Sequence, residues 1–395
     1  MVPTGVGLKC QRCTGSARRG GRVLTSRRRV VQAIAGVAVV ALAVAAVVFA
    51  VNRPSPTTDR QAQAAGVRVD HVPVRFEGAG GFTLHGAMDL PQGVDGPLPG
   101  VVIVPGFGDT TRDGVVGDDG PGDLLYLDLG VALAQEGFAV LRFDKRGTGE
   151  STPLTDDLRF DQRVEDAVRA VAFLRDQPDV ADDAISVIGH DGGGVIGLRI
   201  ADRALDLDGL VLVNVPGRPL SEVLIAEFRS RGDQMHDDAA EELQRAFQTL
   251  RETGEVPQVS DMLRPVFTWT QPGYLREIID VDPAQAASRV VSPVLIVHGQ
   301  SDPSITDEDV QALRAGLKAA PEVEVVHRPD ADHTLRLAGG GRDDGAHGDT
   351  GAPAQRSGPD ARDRAALEEI ARWLRGVAGR GAPAADRGDR VDTAA

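Results

Sequence analysis

Short apolar runs rich in Val, Ile and Leu recur along the chain, and longer segments with helical spacing separate them. Continuous apolar runs of this kind are typical of strands that are buried on both faces of a parallel sheet. The runs occupy residues 99–104, 138–143, 184–189, 210–213 and 293–297, and an alternating segment at 322–327 predicts one further strand. Helical spacing predicts helices over residues 124–136, 161–177 and 364–375.

Ahead of these runs, apolar and polar residues alternate from Val72 to Gly86 around a glycine-rich turn. Strict alternation on both sides of such a turn predicts an antiparallel hairpin. Because buried strands then alternate with helices, the sequence predicts an α/β fold with a mostly parallel, doubly wound sheet. We expect this domain to occupy residues 69–378.

Three segments depart from this alternation. Residues 218–275 are polar and helical without a convincing strand, as expected of a small helical cap inserted between two strands. Residues 339–360 are rich in Gly, Asp, Arg and Pro and are expected to form a disordered insertion. Residues 379–395 are low in apolar content and are expected to form a disordered tail.

The N-terminal region predicts attachment to a membrane. Residues 30–51 carry no charge and are long enough to span a bilayer as one transmembrane helix. Three arginines (27–29) precede this segment and only Arg53 follows closely, so the positive-inside rule places residues 1–29 in the cytoplasm as a basic tail. Residues 52–68 then form a linker to a domain outside the cell membrane. The alternative is a cleaved secretory signal, because residues 26–31 resemble a twin-arginine motif.

Composition narrows the choice of partners. The net charge is −15, although residues 1–29 carry eight basic and no acidic side chains, so the remainder is more acidic still. An acidic body argues against nucleic acid as a partner.

The two cysteines, Cys10 and Cys13, have neither a second pair nor a nearby histidine to complete a zinc site. We therefore expect no metal and no cofactor, and a small-molecule substrate if the protein is an enzyme.

The most informative stretch is Gly189-His190-Asp191-Gly192-Gly193, which separates the predicted strand at 184–189 from a helical segment. A strand that turns at one polar residue between glycines and enters a helix matches the nucleophile elbow, whose usual pattern is G-x-S-x-G. Here Asp191 stands where that pattern has serine.

Four motifs in order give the chain its resemblance to the α/β-hydrolase superfamily. Pro105-Gly106-Phe107-Gly108 follows a buried strand, and residues 144–151 match the turn D-x-R-G-x-G-x-S. The elbow comes third, and Asp302 and then His333 follow later strands, in the order nucleophile, acid, histidine. The chain is most similar to the bacterial esterase-like and serine-aminopeptidase-like branch, whose elbow reads G-H-S-E-G-G.

This resemblance implies a hydrolase with Asp191, Asp302 and His333 as its catalytic residues. Asp191 has no hydroxyl proton to give, and its attack on an ester would produce an anhydride, so ordinary serine-esterase chemistry is not expected. Epoxide hydrolases and haloalkane dehalogenases of the same superfamily use an elbow aspartate to displace a leaving group from saturated carbon. In that interpretation His333 activates water, Asp302 orients His333, and the N–H groups of Phe107 and Gly192 form the oxyanion hole.

Two features leave the function open. The related enzymes usually have Trp after the aspartate, where this chain has Gly192. Trp269 and Tyr274 in the predicted cap are candidates for substrate binding, although packing of the cap on the core would also explain them. Aspartate tolerates the backbone conformation of the elbow, so the alternative function is a non-catalytic binding protein that keeps the fold.

Overall fold

The computed structural model describes residues 67–94, 96–115, 123–154, 158–203, 206–337 and 362–378. The predicted cytoplasmic tail, the membrane-spanning segment, nearly all of the linker, the 339–360 insertion and the C-terminal tail lie outside these ranges, as do Cys10 and Cys13. Among the helices that are described, none combines the length and apolar character needed to cross a membrane.

Eight strands form one sheet in the order β1-β2-β4-β3-β5-β6-β7-β8. The first two strands form the predicted antiparallel hairpin, β2 also pairs antiparallel with β4, and all later pairs are parallel. The strands are β1 (Val69–Glu77), β2 (Thr83–Pro91), β3 (Leu98–Val104), β4 (Ala139–Phe143), β5 (Val180–His190), β6 (Gly209–Val213), β7 (Val294–Gly299) and β8 (Val323–Arg328).

Ten α-helices connect and cover these strands within the described residues. They are α1 (Leu125–Gln135), α2 (Phe160–Arg175), α3 (Gly192–Ala201), α4 (Leu220–Ser230), α5 (Gln234–Thr253), α6 (Arg264–Thr268), α7 (Pro272–Ile278), α8 (Pro283–Ala287), α9 (Asp307–Gly316) and α10 (Arg364–Val377). A short 3₁₀ helix, Ala79–Gly81, forms the hairpin turn.

Both faces of the central strands are buried, and alternate residues of these strands supply the two cores. Val102 and Val187 belong to the core that includes α2 and α3. Their neighbours Ile103 and Ile188 face the other side, where α1 and α10 pack. Because successive side chains of a strand point to opposite faces, this arrangement explains why the strands appear as uninterrupted apolar runs in the sequence.

The mostly parallel, doubly wound sheet that the sequence predicts is therefore confirmed. Between β6 and β7 the chain forms five helices, α4 to α8, and no strand. These helices cover the predicted cap at 218–275 and continue to Ala287. In such sheets the loops at the carboxyl ends of the strands carry the functional site, and here the loops after β3, β5, β7 and β8 bring the candidate residues together.

Candidate active site

Asp191 lies at a sharp turn between β5 and α3. Its backbone has φ 49° and ψ −125°, a conformation that non-glycine residues rarely adopt. The Asp191 N–H donates to the carbonyl of Val213 (3.0 Å), and its carbonyl accepts from the N–H of Gly194 (2.9 Å). These hydrogen bonds hold the turn, which is the elbow geometry that the glycine pattern predicts.

The glycine after Asp191 packs closely against Phe107. A Cβ on Gly192 would lie 2.3 Å from Cγ of the Phe107 ring, so a larger residue fits only if that ring moves. This contact gives a physical reason for glycine at the position where related enzymes have tryptophan.

The carboxylate of Asp191 reaches the loop after β3. The backbone N–H of Phe107, one of the two predicted oxyanion-hole donors, donates to Oδ2 of Asp191 at 3.0 Å. One carboxylate oxygen of Asp191 therefore accepts a hydrogen bond from the loop that the sequence predicts to carry an oxyanion-hole donor. Gly192, whose N–H is the second predicted donor, is the first residue of α3.

His333 and Asp302 form the hydrogen-bonded pair that the sequence predicts. Nδ1 of His333 lies 2.6 Å from Oδ2 of Asp302, whose side chain is fully buried, whereas about a third (34%) of the His333 side chain is exposed. Oδ1 of Asp302 accepts the N–H groups of Ser304 (2.9 Å) and Ile305 (3.3 Å). The pair fixes the imidazole so that Nδ1 carries a proton, which leaves Nε2 for a substrate or water.

Electrostatics favour the charged form of both members of this pair. Burial works against the imidazolium, but the hydrogen bond to Asp302 and the negative charges of Asp191 and Asp302 outweigh it and raise the pKa of His333 to about 9. Burial likewise works against the Asp302 carboxylate, but the hydrogen bond and charge of His333 lower its pKa overall. Because the negative charge of Asp191 contributes to the raised pKa of His333, the charge states of the two side chains are coupled.

His190, the residue before Asp191, connects three of the loops. Its Nε2 lies 2.9 Å from the carbonyl of His333, and its Nδ1 lies 3.0 Å from the hydroxyl of Tyr126. The same hydroxyl accepts the N–H of Gly106 at 2.8 Å. Burial and the positive charge of His333 lower the pKa of His190 to about 4. His190 is therefore neutral, with Nε2–H donating to His333 and Nδ1 accepting from Tyr126.

Lys145 holds the loop that carries the predicted oxyanion donor Phe107. Its buried ammonium donates to the carbonyls of Gly106 and Gly108 (2.7 Å to the latter) and to Oγ1 of Thr110. Burial and the nearby charge of Arg163 hold the pKa of Lys145 well below its usual value. Lys145 belongs to the D-x-R-G turn, so this turn contacts the site through the backbone of the loop after β3.

Asn214, the first residue after β6, joins the loops that carry the acid and the histidine. Its Nδ2 donates to the carbonyls of His333 (2.7 Å) and Asp332 (3.1 Å), and its Oδ1 accepts the N–H of Gly299 (2.8 Å). The residue adopts a positive φ of 44°, which asparagine tolerates better than most residues. Asn214 is a positioning residue for His333.

The two predicted substrate-binding aromatics lie in one row that leads to the oxyanion loop. The Trp269 ring centroid is 6.2 Å from that of Phe107 and 6.4 Å from that of Tyr274. Tyr274 is buried, and the guanidinium of Arg163 lies 5.7 Å from the centre of its ring. Nε and Nη1 of Arg163 are buried without a hydrogen-bond partner among the residues that the structure describes.

A narrow apolar cleft opens beside the elbow. Its lining includes Phe107, Val195, Leu220, Ile278 and Val281. Its volume of about 10 Å³ is comparable to the space of a single water molecule.

Comparison with known proteins agrees with this geometry. A model of the alpha/beta hydrolase family matches residues 101–342, a stretch that contains the elbow and the other candidate catalytic residues. The chain belongs to the α/β-hydrolase family. The resemblance that the four sequence motifs imply is thereby confirmed.

This α/β hydrolase is similar to Esterase EstD of Thermotoga maritima, with 28% identity over 291 residues. The match covers 74% of this chain and 65% of the esterase, slightly less than two thirds of its length. Among solved structures, DcsB in complex with a substrate analogue has a TM-score of 0.52 at 16% identity, covering 78% of this chain and 99% of that chain. Est1E from Butyrivibrio proteoclasticus, solved with ferulic acid, has a TM-score of 0.49 at 17% identity, covering 77% and 96%. At 16% identity the likeness to DcsB concerns the fold alone.

Sequence reasoning missed three positioning residues of this α/β hydrolase. Tyr126 falls in a helix whose apolar spacing indicates only packing, and Lys145 lies within a recognised turn whose role the motif does not reveal. Asn214 follows the β6 strand directly, and a polar residue at the carboxyl end of a buried strand is the signal that could have identified it.

Proposed function

We propose that the protein is a hydrolase that displaces a leaving group from saturated carbon, with Asp191 as the nucleophile. The observation that carries the proposal is the 3.0 Å hydrogen bond from the Phe107 N–H to Oδ2 of Asp191, beside the His333–Asp302 pair. Because one carboxylate oxygen is held in the oxyanion hole, the other is left as the attacking atom.

In the first step Oδ1 of Asp191 forms a bond to the substrate carbon, and the bond to the leaving group breaks with its electron pair. For an epoxide the departing oxygen stays attached to the substrate as an alkoxide and takes a proton from solvent water. The product is an ester of Asp191 whose carbonyl oxygen is the Oδ2 atom that Phe107 binds. The same donors then stabilise the tetrahedral oxyanion when water attacks Cγ, which is the step that needs an oxyanion hole.

The pKa of His333 fits the second step. With a pKa of about 9 in the resting protein, His333 is an imidazolium at neutral pH and stabilises the Asp191 carboxylate. Formation of the ester removes the charge of Asp191, which lowers the pKa of His333 and lets the partly exposed imidazole release its proton to solvent. The neutral His333 then takes a proton from water and later returns it to the departing alkoxide, which leaves as an alcohol.

The fold and the EstD match support an esterase-like substrate pocket, and the apolar residues of the cleft favour a small, largely apolar substrate. Trp269 and Tyr274, in the row of rings beside Phe107, are the residues that we expect to contact it. Ester hydrolysis itself is disfavoured because a carboxylate that attacks an ester forms an anhydride.

A single-turnover experiment in oxygen-18 water tests the mechanism, after epoxides, haloalkanes and short esters have been screened with the wild type and with His333→Ala. Water that attacks Cγ leaves one oxygen-18 in the peptide that contains Asp191, and none in the first molecule of product. Label in the product and not in Asp191 would contradict a covalent intermediate. Equal inactivity of both proteins across the whole panel would instead support the non-catalytic binding protein.

The variant Asp191→Ser provides a companion test. A hydroxyl at the elbow beside the His333–Asp302 pair and the Phe107 N–H has the groups that acyl transfer needs. We expect the variant to gain turnover of short p-nitrophenyl esters and labelling by a fluorophosphonate, with Asp191→Ala as the inert control. No gain would mean that the pocket does not admit an acyl group.

We further propose that residues 30–51 anchor the domain to the cell membrane on its outer side. The uncharged length of this segment and the arginines before it support the proposal. We expect that only detergent extracts the full-length chain from membranes. We also expect that protease added to intact spheroplasts digests the domain. Release of a shortened chain into the medium would favour signal cleavage.

A further inference from the structure

A second cluster of polar side chains lies at the carboxyl ends of β7 and β8, away from the elbow. It consists of His298 on β7, His327 on β8 and Asp307 at the start of α9. The two histidines are direct partners in the register of the parallel strands, and their ring centroids are 5.6 Å apart. One ligand atom from each of the three residues lies within 4.8 Å of the other two.

His298 carries the strongest indication that something binds here. The residue is only 2% exposed, and its Nε2 lies 3.1 Å from the carbonyl of Ile305. A carbonyl can only accept, so Nε2 carries a proton, and in the neutral imidazole Nδ1 then presents a lone pair. That Nδ1 is buried and has no hydrogen-bond partner among the described residues. Buried polar atoms are nearly always satisfied, so an orphaned nitrogen of this kind calls for a ligand.

The orphaned nitrogen is directed at the other members of the cluster. Nδ1 of His298 lies 3.3 Å from Oδ1 of Asp307, and Nδ1 of His327 lies 3.7 Å from the same oxygen. Ligand atoms on a tetrahedral zinc ion, with bonds of about 2.1 Å, are roughly 3.3 to 3.5 Å apart. Lone pairs on an imidazole nitrogen and a carboxylate oxygen repel each other at this separation. A cation between them would be attracted to both.

We propose that His298, Asp307 and His327 bind a divalent transition-metal ion, for which zinc is the best chemical match. Two imidazoles and one carboxylate suit zinc, and the hydrogen bond from His298 to Ile305 orients that ligand as metal-bound histidines are usually oriented. The side chains of Asp307 (60%) and His327 (42%) are exposed, so a fourth position faces solvent and can hold water.

The position of the cluster suggests its role. The loop 302–306 begins at Asp302, which orients His333, and ends at the start of α9. Oδ1 of Asp302 accepts the N–H of Ile305, and the carbonyl of Ile305 accepts from His298, so the loop is already attached to β7. A metal ion on Asp307 would attach α9 to β7 and β8 and thereby stabilise the loop that carries Asp302.

The test is zinc binding by the full-length chain without an affinity tag. Because Cys10 and Cys13 can bind zinc themselves, both are first replaced by serine, and the chelator-treated protein is titrated with Zn²⁺ against a chromophoric chelator. Variants His327→Gln and Asp307→Asn change exposed side chains, and Glu308→Gln, the next acid on the same helix turn, is the matched control. Cobalt(II) serves as a spectroscopic probe of the ligand set.

We expect one equivalent of zinc to bind to the parent and to Glu308→Gln, with a higher thermal midpoint and a visible cobalt spectrum in both. In His327→Gln and in Asp307→Asn the affinity should fall by at least about tenfold and the thermal shift should disappear. The same affinity in all four proteins, or no stoichiometric binding by the parent, would overturn the proposal. A protonated His298 that pairs with Asp307 would then explain the geometry.

Discussion

The carboxylate at position 191 determines the electrostatics of its neighbours. It accepts the Phe107 N–H, and its charge contributes to the raised pKa of His333. A serine at the same turn would offer neither this negative charge nor a carboxylate oxygen to accept the Phe107 N–H.

A prediction at this scale concerns the titration of His333. Replacing Asp191 by Asn removes the negative charge with little change in shape, so the pKa of His333 should fall from about 9 towards neutrality. The chemical shift of the His333 Hε1 proton, followed by NMR between pH 5 and pH 10, measures it. Asp332→Asn, which removes a smaller contribution, should lower the pKa less. Identical curves for wild type and Asp191→Asn would show that the two side chains do not interact.

At the scale of elements, the carboxyl ends of the strands are connected by side chains that take no part in the chemistry. Asn214 links the ends of β6 and β7 to the loop after β8, which carries His333. Lys145 links the turn after β4 to the loop after β3. His190 links β5 to the loop that carries His333. The His333 carbonyl accepts from both Asn214 and His190 and so keeps one donor when either side chain is removed, whereas the buried N–H of Gly299 loses its hydrogen bond to Asn214.

The variant Asn214→Gly tests this element-level coupling. Glycine accepts the positive φ but loses the hydrogen bonds to Gly299, Asp332 and His333, so we expect a loss of about 1–3 kcal/mol in the free energy of unfolding. Any activity should fall as well, because His333 is less well fixed. Urea unfolding measures the stability.

The chain offers a matched control for this variant. Asp206 has the same φ of 44° and an exposed side chain, so Asp206→Gly reports the cost of glycine alone. If Asn214→Gly costs no more than Asp206→Gly, then the Asn214 hydrogen bonds do not hold the histidine loop.

At the scale of the whole molecule, the sheet buries ionisable groups whose charge states depend on folding. His190 has a pKa of about 4 in the folded protein, against about 6.5 in the unfolded chain. Between these two pH values, the His190 side chain therefore binds a proton in the unfolded chain and stays neutral in the folded protein. The folded state loses stability as the pH falls from about 6.5 to about 4, and the contribution is constant below that range.

This loss amounts to as much as about 3 kcal/mol, because each pKa unit corresponds to about 1.4 kcal/mol. The variant His190→Gln lacks the titrating group, so its free energy of unfolding should fall less steeply with acidification than that of the wild type. Urea unfolding at pH 7, 5.5 and 4.5 makes the comparison. A difference between the two proteins that stays constant over this range would contradict the assignment of a neutral, buried His190.

The sequence by itself determined the order of the buried strands and of the helices that alternate with them, because burial on both faces of a sheet leaves uninterrupted apolar runs and burial of one helix face leaves helical spacing. It also determined which residues compose the elbow and the Asp302–His333 pair, since the turn at Asp191 depends on adjacent glycines and each motif follows directly on a strand. Contacts between distant segments leave no such record. Only the tertiary structure revealed that Phe107 binds the Asp191 carboxylate, that Tyr126, Lys145 and Asn214 position the loops, and that His298 and His327 meet Asp307. These contacts depend on the register of neighbouring strands and on the direction of side chains, which no local pattern encodes.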